Sequence, residues 1–205
     1  MHFNPTQLSA KDRYKLCIGA ILPRPIAWVS TMSPNGTLNL APYSYFNIAS
    51  TNPIILAFFP QRQPNGQPKD TLNNIEAHPE FVINLTNEET VHPMNRTATP
   101  LPPDQSEFEW ADLEPTPSQT IQVPRVAIAP IAYECTLHSI THFGTEPGSG
   151  AAVFGLVQSI YVRDDLYTDH GYIDLGRFGP IGRLAGAAYT RTTDTFDLNR
   201  IPPTP

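Results

Sequence analysis

Apolar residues in this chain fall in short runs divided by polar stretches bearing proline and glycine, a spacing that favours strands over helices. Ile26-Ala27-Trp28-Val29-Ser30-Thr31 is rich in β-formers and predicts a strand. Pro34-Asn35-Gly36 supplies a turn with a residue suited to positive φ, and Leu38 to Phe46 returns to close a hairpin. Ile54 to Phe59 is a continuous apolar run between Pro53 and Pro60, and such runs belong to strands buried on both faces. Gln61 to Pro68 is a polar loop around Asn65-Gly66. A helix follows, with Asp70 as the N-cap, Leu72, Ile75 and His78 on one face, and Pro79 as the stop.

Glu80 to Thr86 predicts another strand, Asn87 to Thr99 a short helix, and Pro100 to Pro124 an irregular, proline-rich excursion. Val126 to Phe143 alternates as a long bent strand, Glu146-Pro147-Gly148-Ser149-Gly150 turns, and Ala151 to Val162 returns. The pattern amounts to about six or seven strands with one or two helices. Strand–helix–strand alternation is absent, so a β-barrel is favoured over a doubly wound sheet. A single domain over residues 1–205 is expected, with the barrel over about 14–190 and a C-terminal arm over 191–205.

Composition narrows the function. The net charge is −6 and no basic cluster exists, which argues against nucleic acid as a partner. No apolar run approaches the roughly 18 residues a membrane span requires, and the N-terminus lacks the basic and apolar regions of a signal peptide, so a cytoplasmic location is expected. Cys17 and Cys135 form no zinc or CxxC pattern, and their apolar neighbours predict two buried free thiols. No metal site is expected. His138 and His142 are four apart, but on a strand that separates them by about 13 Å, and surface or half-buried positions suit the six histidines better.

The dinucleotide, P-loop, zincin, nucleophile-elbow and kinase motifs are all missing. What remains is a concentration of small polar residues at strand ends, Ser30, Thr31, Asn39, Ser44 and Asn47, followed by Lys69-Asp70-Thr71 at a helix start. Hydroxyls, a cation and a helix N-terminus suit a phosphate, and amides suit the polar edge of a heterocycle. A plainer account fits equally well on composition alone: Ser and Thr populate strands, Asn39 a turn exit, and Asp70 a cap.

Arg24-Pro25-Ile26-Ala27-Trp28-Val29-Ser30-Thr31 and Gly36-x-x-Asn39-Leu40-Ala41-Pro42-Tyr43-Ser44-Tyr45-Phe46 resemble the signature of the flavin reductase-like FMN-binding family, which includes the flavoredoxins. Lys69-Asp70-Thr71-x-x-Asn74-Ile75, Glu80-Phe81-Val82-x-Asn84, Glu134-Cys135, Phe154-Gly155-x-Val157 and Gly182-Arg183-Leu184-x-Gly186-x-x-Tyr189 resemble its later blocks. The likeness covers nearly all of residues 14–190. It implies a mainly β, Greek-key FMN-binding split barrel of about six strands with a few flanking helices, working as a homodimer. It further implies that Arg24, Ser30, Thr31, Ser44, Lys69 and Thr71 hold the phosphate and ribityl chain, with Asp70 in the same block. Asn39, Ala41, Pro42 and Tyr43 would line the isoalloxazine, Trp28 would stack or pack nearby, and Arg183 or Lys69 would face the reduced ring.

The implied activity is NAD(P)H-dependent flavin reduction, hydride passing to FMN and electrons on to an acceptor such as a monooxygenase or redox protein. Catalysis would need no acid–base side chain, since the cofactor carries the chemistry. The alternatives are a flavoredoxin-like electron-transfer protein with a protein partner, and a non-catalytic flavin-binding module. Two departures from the family pattern, the long loop Gln61–Pro68 and the proline-rich Thr97–Arg125, are placed to cover the flavin.

Overall fold

A computed structural model describes residues 1–201. Eleven strands are formed: β1 (Ala27–Met32), β2 (Leu38–Tyr43), β3 (Phe46–Thr51), β4 (Ile54–Phe58), β5 (Glu80–Leu85), β6 (Pro115–Thr116), β7 (Arg125–Val126), β8 (Ile131–His142), β9 (Ala151–Val162), β10 (Ile181–Arg183) and β11 (Tyr189–Arg191). Among the described residues five α-helices accompany them: α1 (Ala10–Ala20), α2 (Asp70–Ala77), α3 (Val91–Arg96), α4 (Glu107–Trp110) and α5 (Leu175–Phe178). Seven strands make one antiparallel sheet in the order β2-β1-β5-β8-β9-β4-β3, and β6-β7 and β10-β11 are separate two-stranded ribbons.

The predicted β1–β2 hairpin forms, with Gly36 at φ +86° and its N–H donating to Ser33 O. The return strand is shorter than expected. It ends at Tyr43, the chain breaks at Ser44-Tyr45, and Phe46 opens β3, which pairs with β4 instead. The break is what turns one hairpin into the two edges of the open sheet. The expectation that Ile54–Phe59 is buried on both faces holds for Leu56, Ala57 and Phe58 only. Ile54, where β4 meets the edge strand β3, is 38% exposed.

The long strand predicted from Val126 starts at Ile131. Pro130 lacks the N–H that would extend the ladder, and Arg125-Val126 pairs with Pro115-Thr116. The predicted arm likewise begins after Arg191, because Thr190 and Arg191 pair in β11; residues 202–205 of it lie outside the described residues.

The main core lies between the sheet and α2 and joins Tyr43, Phe58, Leu72, Ile75, Phe81, Ile83 and Val153. Gly155 is required there. A Cβ at this position would stand 2.5 Å from Phe81 Cζ and 3.0 Å from Cys135 Cβ, both fully buried. Cys135 is buried as expected, whereas Cys17 is exposed on α1. That helix escapes the hydrophobic pattern because only Ile18 of its eleven residues is buried, although Ser9 caps Asp12 N–H at its start. Among the described residues no helix is long and apolar enough to cross a membrane, and no group of three metal-binding side chains occurs. All six histidines are exposed or half-buried.

Candidate functional site

The Lys69-Asp70-Thr71 block sits where the sheet and α2 meet. Leu72 and Ile75 bury the inner face of α2 and fix its start against β2. Lys69, not Asp70, occupies the N-cap, and Asp70 is the first helical residue. A lysine cannot accept an N–H, so no side chain caps this helix, and its positive end is left facing the cleft. Lys69 is exposed and its side chain makes no hydrogen bond or ion pair among the described residues; its Nζ stands 5.8 Å from the centre of the Tyr43 ring.

Around this helix start lies a cleft of about 340 Å³ lined by Asn39, Ala41, Pro42, Tyr43, Lys69, Asp70 and Thr71. Its rims are the two departures noted in the sequence, Gln61 to Pro64 on one side and Thr97 to Leu101 with Glu107 on the other. Pro42, Tyr43, Gln61 and Lys69 also line an adjoining cavity of about 170 Å³, shared with Arg24, Ser44 and Arg183. Tyr14, Arg24, Ser44, Tyr45, Phe59 and Gln61 carry it on into a wide apolar groove beside α1. Ten of the thirteen residues proposed from the sequence thus border one continuous depression: Arg24, Asn39, Ala41, Pro42, Tyr43, Ser44, Lys69, Asp70, Thr71 and Arg183.

The other three, Trp28, Ser30 and Thr31, are fully buried behind it and line none of these cavities. Trp28 packs with Leu40, Met94 and Phe108 and donates its indole N–H to Thr97 Oγ1 at 2.8 Å. Ser30 donates to Pro124 O, and Asn84 Nδ2 bonds Trp28 O while its Oδ1 accepts Val126 N–H. Thr31 Oγ1 accepts from Asn39 and Asn74. Asn39 also donates to Thr71 Oγ1 at 2.9 Å. These polar residues therefore fasten α2 and the excursion to the sheet. We expect Trp28→Phe to lower stability by about 1–3 kcal/mol, through lost packing and the lost indole hydrogen bond to Thr97 Oγ1, while changing flavin affinity less than about twofold. Denaturant unfolding and flavin titration measure the two effects, and a large loss of affinity would restore a stacking role.

Arg24 is 6% exposed and organises rather than waits. Its Nη1 donates to Ile18 O and Ile21 O at the end of α1, Nη2 to Leu184 O, and Nε to Ser44 Oγ at 3.4 Å. Four of its five N–H donors are thus engaged. Backbone bonds in both directions also tie Arg24 to Arg183. Gly182 permits that approach, since a Cβ there would stand 2.7 Å from Pro23 Cβ. Arg183 itself lies over the Tyr189 ring, 4.4 Å from its centre, and donates to Gly186 O.

Two features suit a polar, anionic ligand. The Tyr43 hydroxyl is buried beside Thr71 without a hydrogen-bond partner of good geometry, and burial pushes its phenol well above the ordinary range. The unpaired Lys69 and the uncapped α2 N-terminus offer a cation and free N–H groups to a phosphate. These donors fit FMN, with Lys69 and the first turn of α2 able to hold the phosphate. Glu107, Gln61 and Tyr14 border the depression without having been singled out as site residues from the sequence, although the first two lie in the loops read as covering it. Nothing distinguishes Glu107 locally from other acids of the excursion, apart from Ser106 ahead of it as a cap.

Comparison with known proteins agrees with the fold. The model of the flavin reductase like domain matches residues 19–181. Nitrilotriacetate monooxygenase component B from Bacillus cereus is 39% identical, with a TM-score of 0.92 over 97% of this chain and 98% of that one. The 2-nitrobenzoate 2-nitroreductase of Pseudomonas fluorescens is 34% identical, with a TM-score of 0.88 over 98% and 96%. A split-barrel domain protein from Shewanella frigidimarina, 21% identical, superposes with a TM-score of 0.83 over 98% and 100%, which identifies the seven-stranded sheet as a split barrel.

Proposed function

We propose, for a chain that belongs to the flavin reductase-like family, that it is an FMN-dependent oxidoreductase reduced by NADH or NADPH. The observation that carries this reading is the cleft at the start of α2, where the only lysine outside α1 stands unpaired at an uncapped helix N-terminus. Bound FMN would supply the hydride-accepting and electron-passing chemistry. Lys69 and the first N–H groups of α2 would hold its phosphate. Asn39 and Thr71 keep that helix start fixed against β2, and Pro42 and Tyr43 form the wall between the two cavities. Arg24 and Ser44 shape the far end, where Arg183 brings a second cation toward the ring. The groove beside α1, lined by Tyr14, Tyr45 and Phe59, is the open side from which a nicotinamide would approach.

A protein partner as electron acceptor is the second reading, supported by the likeness to a protein described as a monooxygenase component. A homodimer is supported by exposed Tyr14, Ile21, Leu22 and Ile48, since large exposed apolar side chains commonly mark interfaces. Anaerobic mixing of the flavin-loaded chain with NADH and with NADPH tests the reading. Rapid loss of the oxidised flavin's visible absorption with either nucleotide is expected. Failure with both, while a protein reductant still bleaches the flavin, would favour electron transfer; failure with every reductant would leave a flavin-binding module.

A further inference from the structure

Glu107 stands in the cleft wall formed by the excursion, in a position no acid–base role above accounts for. The one-turn helix α4, capped by Ser106, delivers it, and Phe108 anchors that turn in the core beside Trp28. Glu107 is 7% exposed, and its Oε2 accepts Leu40 N–H of β2 at 2.9 Å. It therefore faces the same cleft as Lys69, Asp70 and Thr71.

An ionised carboxylate here would oppose a phosphate across a partly desolvated space. We propose that Glu107 contacts the phosphate of bound FMN as a neutral carboxylic acid, so that FMN binding takes up one proton. The inference rests on the reading that places a flavin phosphate in this cleft. A protonated carboxyl donates one hydrogen bond, which is what a phosphate oxygen accepts.

Burial, rather than the neighbouring charges, favours that state. Burial raises the Glu107 pKa above the ordinary carboxylate range, the Leu40 N–H and Glu107's own N–H lower it, and Asp70 and Lys69 add smaller opposing effects, Asp70 raising and Lys69 lowering it. Across the cleft the other charged or titratable groups are Arg62 on the polar loop and the neutral, buried Tyr43 phenol of β2. Behind α4, the Arg96 guanidinium is occupied by the Trp110 and Ala111 carbonyls, and Glu109 lies on the solvent side. Residues 97–101 carry no ionisable side chain. A phosphate dianion entering beside Glu107 raises its proton affinity further, which is the origin of the coupling.

The test is flavin titration of the flavin-free full chain from about pH 7 to about pH 8.5, above the second ionisation of a phosphate monoester near 6. For FMN, uptake of one proton weakens binding by roughly tenfold per pH unit. Riboflavin, which lacks the phosphate, should bind with constant affinity. Glu107→Gln keeps an acceptor for Leu40 N–H and a donor for the phosphate, so it should bind FMN with an affinity that no longer follows pH. Calorimetry of the unaltered chain in two buffers of different ionisation enthalpy counts the proton directly and does not depend on the variant folding. A count near one supports the proposal. A count of zero, or a pH dependence equal for FMN and riboflavin, overturns it. FMN binding that is tight but independent of pH overturns the inference alone; no binding of FMN at any pH overturns the flavin reading and this inference with it.

Discussion

Replacing Arg24 with alanine should destabilise the protein by about 3–5 kcal/mol, the largest effect expected of any single change at the site. The guanidinium satisfies three backbone carbonyls, and none has another partner placed to replace it among the described residues. Two of them, Ile18 O and Ile21 O, belong to the C-terminal end of α1, where the helix dipole already favours a cation. Removing the side chain orphans the buried Ile18 carbonyl, leaves the part-buried Ile21 and Leu184 carbonyls to water, and opens a void beneath Tyr45, whose ring lies 6.0 Å from the guanidinium carbon. Against a total stability of about 5–15 kcal/mol, the variant would be marginal. Denaturant unfolding measures the loss, and hydrogen exchange should place the loosening in α1 and in the β10–β11 ribbon before the main sheet. Arg24→Lys should recover little, because one ammonium cannot reach α1, Leu184 and Ser44 together. A variant that keeps its stability but loses flavin would show that the guanidinium serves the ligand directly.

Lys69→Ala should weaken FMN binding about 30- to 100-fold, the equivalent of about 2–3 kcal/mol for a lost charge-assisted contact to phosphate. The folded chain should be almost indifferent, since Lys69 supports no other group among the described residues. Riboflavin separates the contributions: its affinity should change less than about threefold, because a cation–π contact with Tyr43 alone is weak at an exposed site. Fluorescence titration with both flavins checks this. Equal losses for FMN and riboflavin would move the phosphate away from α2.

Much of the fold was legible because its punctuation is chemical. Pro34-Asn35-Gly36 announces the first hairpin, Glu146 to Gly150 the turn between β8 and β9, and Pro79 the end of α2. What escaped lacks such marks. β3 starts after a break of only two ordinary residues, Ser44 and Tyr45, so β2 and β3 read as one strand. α1 has no apolar stripe, being mostly exposed in the chain by itself, and its position also exposes Cys17. At the site, sequence pattern identified the right neighbourhood but could not sort its depth. Ser30 and Thr31 look as suitable for a phosphate as Thr71, yet strand alternation and the packing of α2 and the excursion put them behind the surface. Glu107 was invisible because its placement depends on a one-turn helix inside a proline-rich stretch, and on a contact to Leu40 from 67 residues away.

The excursion itself has a consequence for how this chain tolerates change. By composition, residues 100–124 look like slack that could be shortened, lengthened or nicked. Glu134, 2% exposed on β8, instead holds Gln119 N–H, Thr120 N–H and the Thr120 hydroxyl with its two carboxylate oxygens. Ser30 on β1 grips Pro124, and Asn84 on β5 grips Val126. Three adjacent strands thus each supply a buried side chain that fixes the length of this segment to within a residue. A deletion there would pull Glu107 from the cleft and unpair Glu134 in the same event. Cleavage sites and length variation should therefore be sparse in a stretch whose composition invites both.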